Sequence, residues 1–267
     1  MTGARLLPTR TVEKVWGRDA LPAPFVAPEG KRIGEIWFEP DPGLPDLLVK
    51  YLFTSEKLSV QVHPSDAQAP EGARGKEECW LVLAAEPGAS LAIGFREEID
   101  AETMRTAALD GSIEELLEWH PVAPGDFFYL SAGTVHAIGP GLSLIEIQQN
   151  SDITYRLYDY GRPRELHLDE GIAVAHGEPH PARLRRSLGA GEEAVLVDGP
   201  HFRVERCIGA PSEETRARFA GRTLVIPVTG EVAASDARIA AGECGQVESL
   251  DGLEFAADGE TLFAAPL

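Results

Sequence analysis

Apolar and polar positions alternate with a period of two through much of the first two-thirds of the chain. That spacing sends successive side chains to opposite faces of a β-strand. In Leu58-Ser59-Val60-Gln61-Val62-His63 the alternation is strict and stops at Pro64. It predicts Leu58, Val60 and Val62 on one face, and Ser59, Gln61 and His63 on the other. Leu48–Phe53 reads as a buried strand. Trp80–Leu83 predicts a third, with Glu78, Trp80 and Val82 sharing a face. Phe127–Leu130 and Leu142–Ile147 follow, each bounded by Gly or Pro turn signals.

The period changes between Asp100 and Trp119, where apolar residues recur at i, i+3 and i+4. Ser112-Ile113-Glu114-Glu115 has the form of a capping box ahead of Leu116 and Leu117, so an amphipathic helix is expected there. A second short helix is expected over Asp169–Ala175. His176–Pro181 is turn-rich and reads as a linker. Val195–Leu267 returns to short strands with Gly-rich turns. This order predicts a mainly β protein, a sandwich or jelly roll rather than βαβ units. Two units are expected: residues 1–180, with a helical insertion near 100–119, and residues 190–267. An internal echo supports them. Val122-Ala123-Pro124-Gly125-Asp126 resembles Ile239-Ala240-Ala241-Gly242-Glu243, and Leu253 stands where the echo would place the counterpart of His136.

Composition narrows the function classes. The 267 residues carry a formal charge of −19, which argues against a nucleic-acid binder because phosphate backbones need a basic face. It also means that an anionic ligand would need locally placed cations. The three cysteines, Cys79, Cys207 and Cys244, are too few and odd in number for a disulfide framework. No CxxC or paired Cys/His knuckle spacing occurs, which excludes a zinc site of that kind. No apolar run approaches a membrane span, and Met1–Pro8 is too poor in apolar residues for a signal peptide. A cytoplasmic protein is expected.

Gln61 and His63, two apart on a strand, point the same way and can grip one metal ion. Alone they read more readily as decoration of a wet sheet face. Glu78 would turn inward with Trp80, whereas Glu77 and Cys79 fall on the opposite face. Gly125-x5-Ser131-Ala132-Gly133-Thr134-Val135-His136 matches the second cupin motif, with Ser131 in place of proline, and delivers His136 by a glycine-framed turn. Gln61, His63, Glu78 and His136 give two nitrogen and two oxygen donors. That mixture suits a zinc ion with open positions, a catalytic rather than a structural site.

These segments, in this order, resemble the type I mannose-6-phosphate isomerases in their short bacterial form. Gly34-Glu35-Ile36-Trp37, Leu58–Pro64, Gly75–Trp80, Ser131–Ile138 and Ile145–Arg156 carry the resemblance, which covers roughly Pro8 to Val174. It implies two cupin-like jelly-roll units, the second degenerate and without metal ligands. It implies a metal-dependent enzyme that interconverts mannose 6-phosphate and fructose 6-phosphate, acting as monomer or homodimer with one Zn2+ or other divalent ion per chain. The family's metal ligands map onto Gln61, His63, Glu78 and His136. Its active-site positions map onto Ser59, Lys76, Glu146, Asp152 and Arg156. In this frame Arg156 and Lys76 are the phosphate cations, with Ser59 as a further substrate contact. Glu146 and Asp152 are the acid–base candidates. Glu146 shares a strand face with Leu142 and Leu144, so its pKa is expected to be raised. Alternatively either carboxylate is purely structural, paired with Arg156. The rival readings are a sugar-phosphate sensor without turnover and a cupin dioxygenase. His120, His167, His176, His180 and His201 are expected to play no part in the chemistry.

Overall fold

A computed structural model describes residues 3–267; Met1 and Thr2, the start of the segment read as poor in apolar residues, lie outside it. The architecture is mainly β and matches the cupin fold, with antiparallel pairing throughout its sheets. Four sheets stack in layers. A five-stranded sheet (Tyr155–Tyr158, Val60–Val62, His136–Ile138, Ser90–Phe95, Leu117–Pro121, in spatial order) faces a seven-stranded one. The latter runs Arg185–Ser187, Asp126–Leu130, Glu78–Ala85, Leu142–Gln149, Leu47–Phe53, Ile33–Phe38, Thr9–Arg18. Its far side packs on a six-stranded sheet that includes Thr223–Pro227, Glu260–Pro266 and Phe202–Ile208. A three-stranded sheet built on Glu231–Ala233 closes the stack. The N-terminal strand Ala4–Leu6 pairs with Gly245–Val247, so residues expected in the first unit contribute a strand to the second unit's sheet.

Burial on both faces explains the apolar runs. In Leu47–Phe53 and Leu142–Gln149 every residue is buried. Val49, Tyr51, Ile145 and Ile147 pack toward the six-stranded sheet, against Phe202, Val204, Leu224 and Leu262. The alternate residues Leu52, Leu142 and Leu144 turn the other way, meeting Trp80, Val82, Leu91 and Ile93 between the first two sheets. Burying a side chain of this size stabilises the fold by about 1.5–3 kcal/mol, so these two interfaces carry most of the stability. All three cysteines are free and buried, and Cys79 lies on the face opposite Glu78, as expected.

Three expectations need correction. Leu58 does not share a face with Val60 and Val62. It precedes the ladder and packs between the sheets, while Val60 and Val62 pack outward under the helices. The helix expected over Asp100–Trp119 is two short helices, Ala101–Asp110 and Ile113–Leu116, followed by the strand Leu117–Pro121. Gly111 ends the first in the left-handed region, and Asp100 caps its start by accepting from Thr103 N. The Ser112 capping box does not form; Ser112 is helical and its hydroxyl donates to Asp110. The expected linker His176–Pro181 is pinned to the first unit by backbone hydrogen bonds from His176 N to Gly133 O, Phe95 N to Glu178 O and Ile99 N to Gly177 O.

Candidate active site

Strand register assembles two facing rows of polar side chains at one end of the space between the first two sheets. On the seven-stranded sheet, Glu146 lies directly opposite both Lys50 and Trp80, and Lys50 lies opposite Trp37. On the five-stranded sheet, Gln61 lies opposite both His136 and Arg156. His63 closes the strand before Pro64, and Glu78 opens the next strand after a loop that ends on Lys76.

His63, Glu78 and His136 are fully buried, and their ligand-capable atoms lie within 4.8 Å of one another. His63 Nδ1 faces Ile153 O at 2.7 Å and His136 Nδ1 faces Thr134 O at 2.9 Å. A carbonyl only accepts, so each Nδ1 carries the ring proton and each Nε2 presents a lone pair. Those lone pairs face Glu78: His63 Nε2 is 3.7 Å from Oε2, and His136 Nε2 is 3.4 Å from Oε1. Burial holds both imidazoles neutral, driving His63 well below its ordinary value and His136 down to about 4. Burial also pushes Glu78 up to about 7, against the pull of Lys76. Lys76 Nζ lies 2.6 Å from Glu78 Oε2 as its charged partner, whereas Oε1 accepts no hydrogen bond. Two imidazole lone pairs and the Glu78 carboxylate thus converge as three electron-pair donors. Buried polar atoms are ordinarily paired, and a divalent cation is what this donor set fits. Gln61 joins the group through its amide nitrogen, 3.2 Å from His136 Nε2, with its oxygen turned to the Ser59 hydroxyl.

Gln61 and Lys76, which touch this centre, also line a cavity of about 470 Å³ beside it. Ser59, Gln61, Lys76, Glu146, Asp152 and Arg156 all line it, so the structure brings the sequence-predicted residues together. Glu146 overturns one expectation. Burial alone would raise its pKa. The facing Lys50 and Lys76, with hydrogen bonds from Lys50 Nζ (3.0 Å) and Trp80 Nε1 (3.0 Å), outweigh burial and pull it down to about 2. Its partners are these lysines and not Arg156. Burial by itself would deprotonate Lys76, but Glu146 and Glu78 outweigh that and raise its pKa. Asp152 is exposed at the rim. Arg156 gives Nη1 to Glu165 O at 2.8 Å and keeps a buried, unpartnered Nε.

Lys50, Arg164 and His167 also line the cavity and were missed. Arg164 is held as a two-pronged pair by buried Asp159, at 2.5 and 2.6 Å. His167 Nδ1 accepts from Arg156 N at 3.3 Å. Lys50 had a usable signal: it is the single charge in an apolar strand.

No family model matches the chain. A 170-residue stretch is 45% identical to a mannose-6-phosphate isomerase of Streptococcus mutans, covering 59% of this chain and 53% of that protein. A 146-residue stretch is 44% identical to the mannose-6-phosphate isomerase ManA of Bacillus subtilis, covering 51% and 46%. The crystal structure of the mannose 6-phosphate isomerase from Bacillus subtilis superposes with a TM-score of 0.76 at 25% identity, over 98% of both chains. The resemblance is to type I mannose-6-phosphate isomerases. The chain spans about half the length of the curated relatives it matches. Among the described residues no helix is long and apolar enough to cross a membrane.

Proposed function

We propose that the chain is a metal-dependent aldose–ketose isomerase that interconverts mannose 6-phosphate and fructose 6-phosphate. The observation that carries this reading is the buried Glu78 carboxylate between two neutral imidazoles, beside a cavity lined by the buried Lys50 and Lys76. Zn2+, one per chain, suits His63, Glu78 and His136, with Gln61 as the fourth donor once its amide turns the oxygen from Ser59 toward them. When bound, such an ion supplies Lewis acidity toward the sugar oxygens at C1 and C2.

The chain's own residues supply the rest. In the forward direction the C2 proton moves to C1 and the O2 proton to O1, through an enediolate whose charge needs stabilising. Lys76, kept protonated beside Glu78 and Glu146, donates to the developing oxyanion. Glu146 is paired with two lysines and ionised far below neutral pH, so it positions them instead of shuttling protons. Asp152 is the acid–base carboxylate that remains. Arg156, with Ser59, holds the phosphate, because a planar guanidinium matches two phosphate oxygens. In the same reading residues 1–180 form the catalytic unit, residues 190–267 a second cupin-like unit without metal ligands, and the setting is cytoplasmic.

A coupled assay for fructose 6-phosphate formation, with and without chelator, tests this. Turnover that is abolished by chelator and restored by a divalent ion is expected. Metal-replete protein that binds mannose 6-phosphate without turnover would instead mark a sensor, and oxygen consumption a dioxygenase. Arg156→Ala should keep its metal and lose about 10- to 100-fold in kcat/KM, the worth of charge-assisted hydrogen bonds.

A further inference from the structure

We infer that His201, from the second unit, is a positioning residue that latches the loop carrying Lys76. The loop runs from His63 to Glu78, so both of its ends are candidate metal ligands. Two acidic side chains tie it down. Asp66 Oδ1 accepts from Gly75 N at 2.7 Å, and Asp66 also takes Gln149 Nε2 at 3.2 and 3.3 Å. Glu77 takes the Tyr129 hydroxyl on Oε2, and its backbone exchanges hydrogen bonds with Gln149. The imidazole of His201 stands between these two carboxylates, with Nδ1 3.5 Å from Asp66 Oδ2 and Nε2 3.8 Å from Glu77 Oε1.

As the cation the ring donates toward both carboxylates, and as the neutral ring toward one of them. Either form places a donor between two like charges that would otherwise repel across the gap. The neighbouring residue secures the ring's backbone: Phe202 is fully buried and its ring packs 6.0 Å from that of Tyr129, the residue bound to Glu77. Leu267 N also donates to His201 O at 3.0 Å, so the second unit holds the latch rigidly from its own C-terminal strand. Gly75 allows the loop to close, since a Cβ there would meet Asp66 N at 2.3 Å. Lys76 N then donates to Pro64 O at 2.9 Å, which sends the Lys76 side chain inward to Glu78. The second unit thereby acts on the first unit's centre without contributing an atom to it.

The test compares His201→Ala and His201→Lys with the parent protein by limited trypsin digestion, metal titration and kinetics. Arg74 is half-exposed within this loop, so cleavage of Arg74-Gly75 reports loop opening. His201→Ala should raise that cleavage rate and weaken metal binding by about two- to fivefold, the span a partly exposed ion pair supports. Cleavage elsewhere and the melting temperature should hold. His201→Lys should restore the parent rates. The kinetic arm rests on the isomerase reading and should show kcat falling more than KM rises. Cleavage and metal binding need no turnover, so they decide the latch even if the isomerase reading fails. Unchanged cleavage at Arg74 in His201→Ala overturns the inference, as does a rise in cleavage along the whole chain.

Discussion

The interiors of residues 1–180 and residues 190–267 begin from the same turn and end in opposite chemistry. At Gly125, φ is +92°, Asp126 accepts from Ala123 N through its side chain at 2.8 Å, and Asp126 N donates back to Ala123 O at 3.1 Å. At Gly242, φ is +88°, Glu243 accepts from Ala240 N at 2.8 Å, and Glu243 N donates to Ala240 O at 3.0 Å. Beyond the first turn the chain delivers His136 to a buried polar cluster. Beyond the second, Leu253 packs with Phe219, Val225, Ile239 and Phe263 in an apolar core. Among residues 190–267 the buried acid Glu205 is engaged by Arg218 and Thr215 on both oxygens, whereas Glu78 has Lys76 on Oε2 and no hydrogen bond on Oε1. The scaffold therefore does not dictate a metal site. A few inward register positions do, and burying their polar side chains costs stability that the surrounding apolar contacts must offset.

The strongest way to break this comparison is to exchange the equivalent residues. His136→Ala should lose metal and turnover together, by more than the ~10- to 100-fold that outer-sphere changes cost. Metal retained in full, measured by elemental analysis, would remove His136 from the ligand set. Leu253→His should not gain a metal, because the cluster is apolar apart from Cys207, whose thiol pKa burial pushes up to about 12, keeping it protonated. It should destabilise the protein by about 1–3 kcal/mol through an unpaired buried imidazole. A second equivalent of bound ion would show that the scaffold alone suffices.

Glu146→Gln probes the polar cluster from its other side. It leaves Lys50 and Lys76 buried with one fewer negative charge. Denaturant unfolding should show a loss of about 3 kcal/mol, as for other broken buried pairs. A neutral outcome would mean that the two lysines are held by Gln148 and Glu78 alone.

What was legible in the sequence follows from the range of each signal. Gln61, His63 and Glu78 were placed correctly because a period of two fixes a face within one strand. His136 was found because glycines frame its turn. Glu146 was located, but its charge state was inverted. The residues before it on its strand face are Leu142 and Leu144, whereas the groups that set its ionisation lie across the sheet, Lys50 being 96 residues away. Register between distant strands is invisible to a local pattern, and so was Arg164; Lys50 showed only as a lone charge in an apolar strand, with nothing to name its partner. The Asp100–Trp119 helix failed for a related reason. Leu117–Pro121 is drawn into strand by pairing with Ser90–Phe95, which outweighs its helical spacing.

A smaller effect sharpens the comparison of the turns themselves. A Cβ at Gly125 would meet Leu188 O at 2.6 Å, and one at Gly242 would meet Pro24 Cγ at 2.4 Å. Gly125→Ala and Gly242→Ala should each cost about 1–2 kcal/mol for the left-handed backbone alone. The first should cost more, because its obstacle is backbone and the second's is a proline ring edge. Equal melting temperatures for the two variants would mean that contacts at the turns are irrelevant and conformation decides.

The smallest expected effect concerns the segment that joins the two units. His180 is buried, with one ring nitrogen on Tyr129 O at 2.9 Å and Nδ1 unpartnered. Burial lowers its pKa, and the nearby His120 and Arg185 add to that against the raising effects of the Tyr129 carbonyl and Glu118. The folded ring therefore stays neutral in a window below about pH 6.5 where the unfolded ring takes up a proton. With more protons bound by the unfolded state, stability rises with pH through that window, is fully present above it, and is lost on acidification. One such group contributes at most about 1.4 kcal/mol per pH unit. His180→Gln keeps a donor for the Tyr129 carbonyl and removes the titration. Its stability should therefore fall less steeply than the parent's between pH 7 and pH 5.5. His63, His136 and His120, whose pKa values are also lowered, remain in both proteins, so the difference between the two curves isolates His180. Parallel curves would show that the joining segment opens before its histidine titrates. In that case the segment would not be part of the first unit's cooperative fold, despite the hydrogen bonds that pin it there.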